Sequence, residues 1–495
     1  MFERRTHFRN RWSCLFLSLA LSLAFSLIFY AFNTPLGPSI GSDNAIYLTM
    51  GTALADGYAP YTEIFDHKGP ALFLLQWLPQ ALSGGYSTLA VFIQEVLVLT
   101  LCLWVLAAIA GELDAPAWIV QLVYLAPTCS LVGGGNLTEE YTNLPTLFGL
   151  YTALRVFGHE DFPRSKRLLA DAALMGACVA LAFLVRANNV LPLACVCLVL
   201  ALGLLLGRRF AVFGRCAMGF LLGFVGICLP VALWLMHENA LGAAFYGAIV
   251  HNMMYAQTGG GSRLSMLLAS GYGHMALLMA ALACLGAWAL WKKRRAFLFA
   301  AAMVAGAAGG GLAAFISHKF YDHYLMLGAP LAALGTAALL TVLEGRRAKA
   351  VLCASAAVCC AWLCLKGVQT DAWRLAEREG LDTFTQNAQT LMAHVPEEER
   401  DRFMAYRVEP KWYVAAEALP CMRFYFLQEI LAQADPAVMD EIVATFESEP
   451  PLWLVIYYNR AFDPPYDARV EEIMRTRYAF VDAAGEYQLL RLIQP

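Results

Sequence analysis

Residues 89–110 read LAVFIQEVLVLTLCLWVLAAIA, a run of 22 residues in which Glu95 is the one charged side chain. An α-helix of about 20 apolar residues crosses the roughly 30 Å hydrocarbon core of a bilayer, so this run predicts a membrane span. Ten other runs of similar character precede and follow it. They are Trp12–Phe32, Pro116–Val132, Tyr141–Phe157, Leu168–Val185, Val190–Leu206, Ala217–Leu235, Met275–Trp291, Ala296–Ile316, Leu325–Leu343 and Ala350–Leu365. The sequence therefore predicts a polytopic α-helical membrane protein with about 11 transmembrane helices.

The composition of the whole chain agrees with this fold class. Of its 495 residues, 59% are hydrophobic and 15% are charged, whereas soluble domains carry about 25% charged residues. The net charge of −3 provides no basic surface for nucleic acid, so we exclude nucleic acid as a partner. The 14 cysteines lie almost entirely within apolar runs, where they act as small hydrophobic side chains.

The basic residues between the spans predict the orientation, because Lys and Arg concentrate on the cytoplasmic side. This rule makes the N-terminus cytoplasmic and the segment after Leu365 extracytoplasmic in a cell membrane. We divide the chain into a transmembrane module, 1–368, with a long external loop at 33–88, and a small external α/β domain, 369–495. The helices predicted in that domain are Trp373–Ala393, Ala437–Phe446 and Asp467–Met474, and the strands are Arg402–Tyr406, Leu452–Tyr458 and Tyr487–Leu492.

Ionisable residues beside a membrane are informative because they are expensive to bury there. They collect in four external segments, at residues 41–70, 133–141, 186–189 and 318–324. Carboxylates and cations together suit the transfer of a sugar from a lipid phosphate to a hydroxyl. That reaction needs a base for the acceptor proton and positive charge for the leaving phosphate.

We predict Asp43 as the base, and Glu139 or Glu140 as the residue that orients the acceptor or holds a metal. Two carboxylates, Asp43 and Glu139, permit Mg²⁺ or Mn²⁺, although a metal-free site is equally consistent. The cations expected to bind the phosphate are His67, Lys68, Arg186, His318 and Lys319. Ordinary structural roles compete: Asp43 could cap a helix, the glutamates could complement a helix dipole, and Arg186 could extend to the interface.

One residue pattern in the first external loop is distinctive. Asp43 is followed four residues later by Tyr47, and the same loop contains the turn Asp66-His67-Lys68-Gly69-Pro70. This order resembles the GT-C superfamily of membrane glycosyltransferases. The branch resembled includes the aminoarabinose-lipid A transferases, the protein O-mannosyltransferases and the bacterial lipopolysaccharide-core transferases. Gly69 departs from the proline that is more usual in that turn.

The resemblance implies a polyprenyl-phosphate sugar as donor, used at the outer face of the membrane. It also implies a second acid, matched by Glu139 or Glu140, and a late basic loop, matched by His318, Lys319 and His323. We further expect substrate contacts from a second set of residues: Tyr47, Tyr61, Asp66, Asn136 and Tyr324. The acceptor stays open between a cell-envelope glycan, a lipid and a protein. A single base with a phosphate leaving group favours inversion at the anomeric carbon.

Two other functions are compatible with a polytopic chain. A transporter or a flippase for lipid-linked saccharides would need charged or broken helices near the bilayer midplane and often has two related halves. The polar residues here collect at one face instead, and no repeat is evident. A membrane-anchored binding protein would leave the pattern in residues 43–70 without a role.

Overall fold

A computed structural model of the chain describes residues 11–37, 40–161, 167–257, 263–269, 271–316, 320–343, 345–458 and 468–493. The helices in the first half are α1 Arg11–Phe29, α2 Ser42–Ala55, α3 Pro70–Ser83, α4 Thr88–Glu112, α5 Ala117–Leu131, α6 Thr138–Phe157, α7 Leu168–Val185, α8 Leu191–Leu206, α9 Phe210–His237 and α10 Leu241–Phe245. Those in the second half are α11 Asn252–Gln257, α12 Arg263–Ala269, α13 Gly273–Arg294, α14 Phe297–Phe315, α15 Ala329–Leu340, α16 Gly345–Met392, α17 Lys411–Ala416, α18 Gln428–Ala434, α19 Ala437–Ser448 and α20 Ala468–Arg477.

Short irregular helices connect several of these elements. Three are 3₁₀ turns, at Ala187–Val190, Asp322–Gly328 and Glu397–Arg402, and one is a π-helical turn at Tyr246–His251. The strands are β1 Phe403–Ala405, β2 Trp453–Tyr457, β3 Tyr478–Ala484 and β4 Tyr487–Leu492.

Membrane-spanning helices dominate the chain. Among the described residues, nine helical segments are long and apolar enough to cross a bilayer: Trp12–Phe29, Thr88–Glu112, Leu168–Val185, Ala187–Leu206, Phe210–His237, Gly273–Arg294, Phe297–Phe315, Asp322–Leu340 and Ala350–Met392. They confirm the predicted class of polytopic α-helical membrane protein. The apolar window of α9 is 6% buried, so almost all of it is available to lipid.

The other two predicted spans are helical but differ in character. The span predicted at Pro116–Val132 is α5, which has 15 residues. The span predicted at Tyr141–Phe157 lies in α6, whose first turns carry Thr138, Glu139 and Glu140. These polar side chains are buried within the protein, where they find hydrogen-bond partners instead of meeting lipid.

Contacts divide the described residues into two compact units. The first unit contains the described residues within Met1–Tyr30, Ile93–Leu233 and Gly260–Asp371, and the second those within Ala31–Phe92, Trp234–Gly259 and Ala372–Pro495. The segment predicted as the first external loop, 33–88, thus belongs to the same unit as the C-terminal segment. Within the first unit, α14 packs against α8, α13 against α15, and α6 against α7.

In the second unit, α2 and α3 pack closely against each other. The backbones approach at Gly51, where a Cβ atom would lie 2.3 Å from the carbonyl oxygen of Gln76, so this position requires glycine. Pro70 begins α3 at a position where its missing N–H has no cost.

The C-terminal segment contains the predicted α/β fold. Its sheet has the strand order β1-β2-β4-β3, with β1 parallel to β2 and the other neighbours antiparallel. Val455 pairs with Leu489 at the centre of the sheet, and both are fully buried. Strand β3 is an addition to the prediction. A second difference is α16, a continuous helix of 48 residues where the sequence suggested a span and a separate helix.

Candidate functional site

The turn from Asp66 to Pro70 is the centre of a cluster in the second unit. Asp66 is fully buried, and its Oδ1 atom accepts the backbone N–H of Lys68 at 2.8 Å. The same oxygen lies 3.6 Å from Lys68 Nζ and 3.7 Å from His67 Nδ1. The carboxylate therefore shapes the turn and lies beside both the Lys68 ammonium and the His67 ring.

Other parts of the second unit hold this turn in place. The Tyr61 hydroxyl donates to the Lys68 carbonyl oxygen at 2.7 Å, and Arg423 Nε donates to the Tyr61 carbonyl oxygen at 2.7 Å. The Asn252 side-chain amide donates to the carbonyl oxygen of His67. Tyr61 is fully buried and has a positive φ of 63°, so its described contacts serve the loop. Its predicted contact with substrate stays a prediction.

The Lys68 side chain lies beside two rings as well as beside Asp66. Its Nζ atom lies 3.1 Å from His67 Nε2 and 5.7 Å from the centre of the Tyr47 ring. Burial raises the pKa of Asp66 by more than the Lys68 ammonium lowers it, and the charge of Asp43 raises it further. Burial therefore opposes ionisation of the acid that lies beside the Lys68 side chain.

Asp43 lies in the first turn of α2 and is half-buried. Reciprocal amide hydrogen bonds between Asn33 and Asn44, of 3.3 and 3.1 Å, fix the backbone beside it. In the part of the chain that the structure describes, the Asp43 carboxylate takes part in no hydrogen bond or ion pair. A carboxylate that is positioned by its helix and has no fixed partner is suited to accept a proton from a substrate.

Sequence reasoning did not assign the residues that surround His67. His251 is fully buried on the π-helical turn, with its ring centre 6.1 Å from that of His67 and 5.6 Å from that of Phe65. The Tyr255 ring lies 5.3 Å from the His67 ring. Burial lowers the pKa of His251, which favours a neutral ring. The signal in the sequence was a group of polar side chains at residues 251–255 within an otherwise apolar stretch.

A second cluster, in the first unit, surrounds Glu139, which is 1% exposed. Its Oε1 atom accepts one hydrogen bond from Arg186 and one from Asn189, each of 3.1 Å. Its Oε2 atom accepts the Thr138 hydroxyl at 3.0 Å. Both oxygens are thus paired. Sequence reasoning missed Asn189 as a site residue, although it lies three positions after Arg186.

Arg186 joins the acid to an aromatic side chain. Its Nη2 atom donates to the Tyr324 hydroxyl at 2.6 Å, and its guanidinium lies 4.4 Å from the centre of the Tyr324 ring. The His323 ring is 4.8 Å from the Tyr324 ring. Burial opposes ionisation of Glu139, but the charges of Arg186 and His323 outweigh it and lower the pKa of this carboxyl. Glu139 and Arg186 therefore form an ionised pair.

Glu140 has a different environment from its neighbour. Its Oε2 atom accepts the Leu137 backbone N–H at 2.8 Å, as an acid in the first turn of a helix often does. Burial, with a smaller contribution from the charge of Glu139, raises the pKa of Glu140. The prediction could not choose between the two glutamates, and their environments now distinguish an ionised acid from one that favours its proton.

The loop before Glu139 has an unusual backbone. Gly133, Gly134, Gly135 and Asn136 have φ values of 57°, 103°, 102° and 59°. The Asn136 backbone N–H donates to Glu95, and its side-chain oxygen accepts the Tyr141 hydroxyl at 2.6 Å. Asn136 is fully buried, so its described contacts are structural, and substrate binding by it stays a prediction.

Two of the predicted phosphate-binding residues, His318 and Lys319, lie outside the described residues. The prediction of a metal site on Asp43 and Glu139 also stays a prediction. Across the described ranges, no group of three or more His, Cys, Asp or Glu side chains is placed to hold a metal ion.

No protein-family model and no curated protein matches this sequence. Comparison with solved structures, by contrast, finds a clear likeness. The crystal structure of ArnT from Cupriavidus metallidurans bound to undecaprenyl phosphate superposes with a TM-score of 0.61 and 14% sequence identity, covering 96% of this chain and 97% of that one. The apo structure of the same protein gives a TM-score of 0.59 and 13% identity, again covering 96% of this chain and 97% of that one.

This chain has the ArnT fold. The likeness extends over nearly the whole length of both proteins. It confirms the resemblance to GT-C proteins at the level of the fold. At 14% identity the likeness does not assign a substrate or a residue role.

Proposed function

We propose that this protein is an integral membrane glycosyltransferase that uses a polyprenyl-phosphate sugar as donor. The observation that carries the proposal is the ArnT fold, since the solved ArnT structure contains undecaprenyl phosphate. The cluster around Asp66 supports it independently, because the buried Lys68 ammonium, with the His67 ring 3.1 Å from it, offers a positive charge and N–H donors suited to a phosphate.

The proposed reaction is a direct displacement at the anomeric carbon. The acceptor hydroxyl oxygen forms a bond to that carbon while the bond from carbon to the phosphate oxygen breaks. The acceptor proton passes to the Asp43 carboxylate, and the bonding electrons leave with the polyprenyl phosphate. Lys68 and His67 stabilise the negative charge on the departing phosphate. A single displacement inverts the anomeric configuration, which NMR of the product would detect.

The Glu139 cluster has a separate proposed role, in orienting the acceptor or in holding a divalent cation. Its hydrogen bonds to Arg186 and Asn189 fix the carboxylate in one position. Because Arg186 already balances Glu139, we assign it first to positioning that acid, and its contact with phosphate stays a prediction. A requirement for a metal would appear as loss of transfer in EDTA and recovery with Mg²⁺ or Mn²⁺.

We further propose that the N-terminus is cytoplasmic and that Asp43, the Asp66 turn and the C-terminal domain are extracytoplasmic. The distribution of Lys and Arg supports this orientation. A reporter that is active only outside the cytoplasm tests this orientation. It should be active when fused at the C-terminus and inactive when fused after residue 208.

The function is tested by release of free polyprenyl phosphate in liposomes that contain the purified protein, a panel of polyprenyl-phosphate sugars and envelope extracts as acceptors. Asp43→Asn should reduce release by at least about a hundredfold, since a general base contributes 10²–10⁴ in rate. Asp401→Asn removes an exposed carboxylate elsewhere in the second unit and should leave release unchanged.

Two results would contradict the proposal. If Asp43→Asn keeps full activity, Asp43 is not the base. If the folded wild-type protein releases no polyprenyl phosphate from any donor, the transporter or flippase function becomes the better explanation, and translocation of labelled donor across the same liposomes is the next measurement.

A further inference from the structure

The first unit contains an apolar cavity of about 420 Å³, which the proposed reaction does not use. Four helices, α6, α7, α8 and α9, contribute side chains to its wall. Among the described residues, every side chain that lines it belongs to Val, Leu, Ala, Phe, Met or Cys. The volume lies within the range of about 300–1,000 Å³ that is typical of ligand sites.

The cavity lies at one end of α6 and α7, and the Glu139 cluster lies at the other end. Phe157, which ends α6, and Leu168, which begins α7, both line the cavity. Glu139 is in the first turn of α6, and Arg186 directly follows α7. The interval from Glu139 to Phe157 corresponds to about 27 Å at 1.5 Å per residue, close to the thickness of the hydrocarbon core. The cavity is therefore a separate site near the opposite surface of the membrane.

The cavity is long and narrow. Its lining extends over Leu168–Val179 of α7 and over Ala194–Leu204 of α8, which corresponds to about 15–17 Å along each helix. A core cluster of Cys178, Val179 and Leu193 lies at its inner end. A volume of about 420 Å³ spread over this length has the shape of a single alkyl chain.

The lining also favours an alkyl chain over water. A buried water needs two to four polar partners, and the described lining offers only the thiols of Cys197 and Cys216, which are weak donors. Leu198 of α8 and Leu221 of α9 line the cavity although they are 58% and 59% exposed. The cavity therefore opens between these two membrane helices, where the surrounding lipid supplies apolar chains.

The chain is basic at the outer end of the cavity. Three residues connect α8 to α9, and two of them, Arg208 and Arg209, are exposed arginines. The last turn of α8 and the first turn of α9 both line the cavity. The connecting segments 158–167 and 207–209 together contain five Lys or Arg and two Asp or Glu, and Asp171 in the first turn of α7 adds one acid. The net charge at this end is therefore positive.

We propose that this cavity binds one acyl chain of an anionic phospholipid, whose phosphate lies at Arg208 and Arg209. Basic residues at a membrane surface attract anionic lipids, and basic pockets between membrane helices bind their head groups. The apolar cavity matches the chain of such a lipid, and the arginines match its charge. The site is independent of the proposed transfer reaction.

The test is mass spectrometry of the intact full-length protein in detergent, titrated with dioleoyl phosphatidylglycerol or with dioleoyl phosphatidylcholine, which has the same chains and no net charge. Phosphatidylglycerol should bind saturably and at least about tenfold more tightly, because two arginines face its phosphate. Arg208→Gln and Arg209→Gln should each weaken its binding about fivefold, the contribution of one basic residue at a membrane surface. Both variants should leave phosphatidylcholine binding unchanged. Ala201→Phe, which places a ring in the lining of the cavity, should weaken the binding of both lipids.

Two matched controls accompany these variants. Arg295 is also exposed and has a φ of 53°, against 54° for Arg208. It lies in the connection from α13 to α14, of which no described residue lines the cavity, so Arg295→Gln removes the same charge elsewhere. Ala281→Phe adds the same ring at an exposed position of α13. Neither control should change the binding of either lipid.

Three results would overturn the proposal. Equal affinity for the two lipids, or equal weakening in Arg295→Gln, would show that the arginines beside the cavity do not select the head group. Unchanged binding in Ala201→Phe would place the chain elsewhere. Displacement of phosphatidylglycerol by undecaprenyl phosphate more readily than by a second phosphatidylglycerol of different mass would assign the cavity to the sugar donor. If Ala201→Phe does not fold, Arg208→Gln decides, since unchanged phosphatidylglycerol affinity in that exposed variant also overturns the proposal.

Discussion

Glu139 and Asp66 are both buried carboxylates beside a basic side chain, but their surroundings differ in how completely they pair the acid. Glu139 has hydrogen-bond donors on both oxygens, with Arg186 at 3.1 Å, and its pKa is lowered. Asp66 approaches Lys68 Nζ only to 3.6 Å, its second oxygen has no hydrogen-bond partner among the described residues, and its pKa is raised.

The difference shows that burial beside a cation does not by itself decide whether an acid is ionised. Donor geometry decides it, because burial penalises the charged form unless hydrogen bonds and close charges compensate. In a fully paired cluster such as that of Glu139, the hydrogen bonds and the ion pair stabilise the folded protein. In a partly paired cluster such as that of Asp66 and Lys68, the Lys68 side chain can still bind an anionic ligand.

Of the variants that test this comparison, we expect Arg186→Met to lose the most stability. Arg186 and Glu139 have 12% and 1% exposed side chains, and removing one partner of a buried pair costs about 3–5 kcal/mol. Thermal unfolding in detergent should show a strongly lowered Tm. The double variant Glu139→Gln/Arg186→Met should recover part of the loss, and a double variant that is less stable than the single one would contradict the assignment of an ionised pair.

A smaller effect on stability, with a clear effect on donor binding, is expected in Lys68→Met. The Tm should change much less than in Arg186→Met, since Asp66 can take up a proton when its cation is removed. The KM for the polyprenyl-phosphate donor should rise about 10- to 100-fold, as one hydrogen bond to a charged group contributes roughly 1.5–3 kcal/mol. Steady-state kinetics measure the change. A decrease in Tm as large as that of Arg186→Met would show that the Asp66 and Glu139 clusters do not differ in how completely they are paired.

The two acids should also give opposite dependences of stability on pH. The pKa of Asp66 is raised above 3.8, so its contribution is complete below pH 3.8 and is lost as pH rises through the folded value. The pKa of Glu139 is lowered below 4.5, so its contribution is present above pH 4.5 and is lost as pH falls through the folded value.

Two variants separate these contributions. Relative to wild type, Asp66→Asn should gain stability as pH rises from about 4 to 8, and Glu139→Gln should show its largest deficit at neutral pH. Tm values at several pH values measure both trends. Differences from wild type that change in the same direction with pH would show that the two acids titrate alike.

The smallest effect is expected at two glycines with similar φ values. Gly135, in the first unit, has a φ of +102°, and a Cβ there would lie 2.5 Å from Glu95 Oε1. Gly57, in the second unit, has a φ of +96° with nothing within 4 Å of a Cβ. We expect Gly135→Ala to cost about 2 kcal/mol and Gly57→Ala about 1 kcal/mol, measured by Tm. Equal losses would mean that backbone strain alone matters at Gly135.

The sequence predicted the spans well, because long apolar runs are local signals. It separated the end of α16 from the preceding span incorrectly. Residues 366–372 include Gly367 but no proline, and one glycine lowers helix stability without ending the helix. Strand β3 was not predicted because its residues, YAFVDAA, alternate poorly and follow α20 directly, with an irregularity between Phe480 and Asp482.

For the candidate site, the sequence indicated residue types but not their partners. The adjacent acids Glu139 and Glu140 look alike in a sequence, and only the positions of Arg186 and Leu137 distinguish them. Asn252 and Arg423 reach the Asp66 loop across 185 and 362 residues. Such contacts depend on tertiary structure, which no local pattern encodes.

The hydrogen bond from Arg423 to Tyr61 spans 362 residues, and the one from the Tyr425 hydroxyl to the Ile46 carbonyl spans 379. This separation has a consequence for biosynthesis. At 5–20 residues per second, the ribosome needs about 20–70 s to make the segment that completes the first loop. The loop is therefore synthesised early and completed late, and a ribosome that stops before residue 423 leaves a chain that has its membrane helices but in which this loop is unfinished.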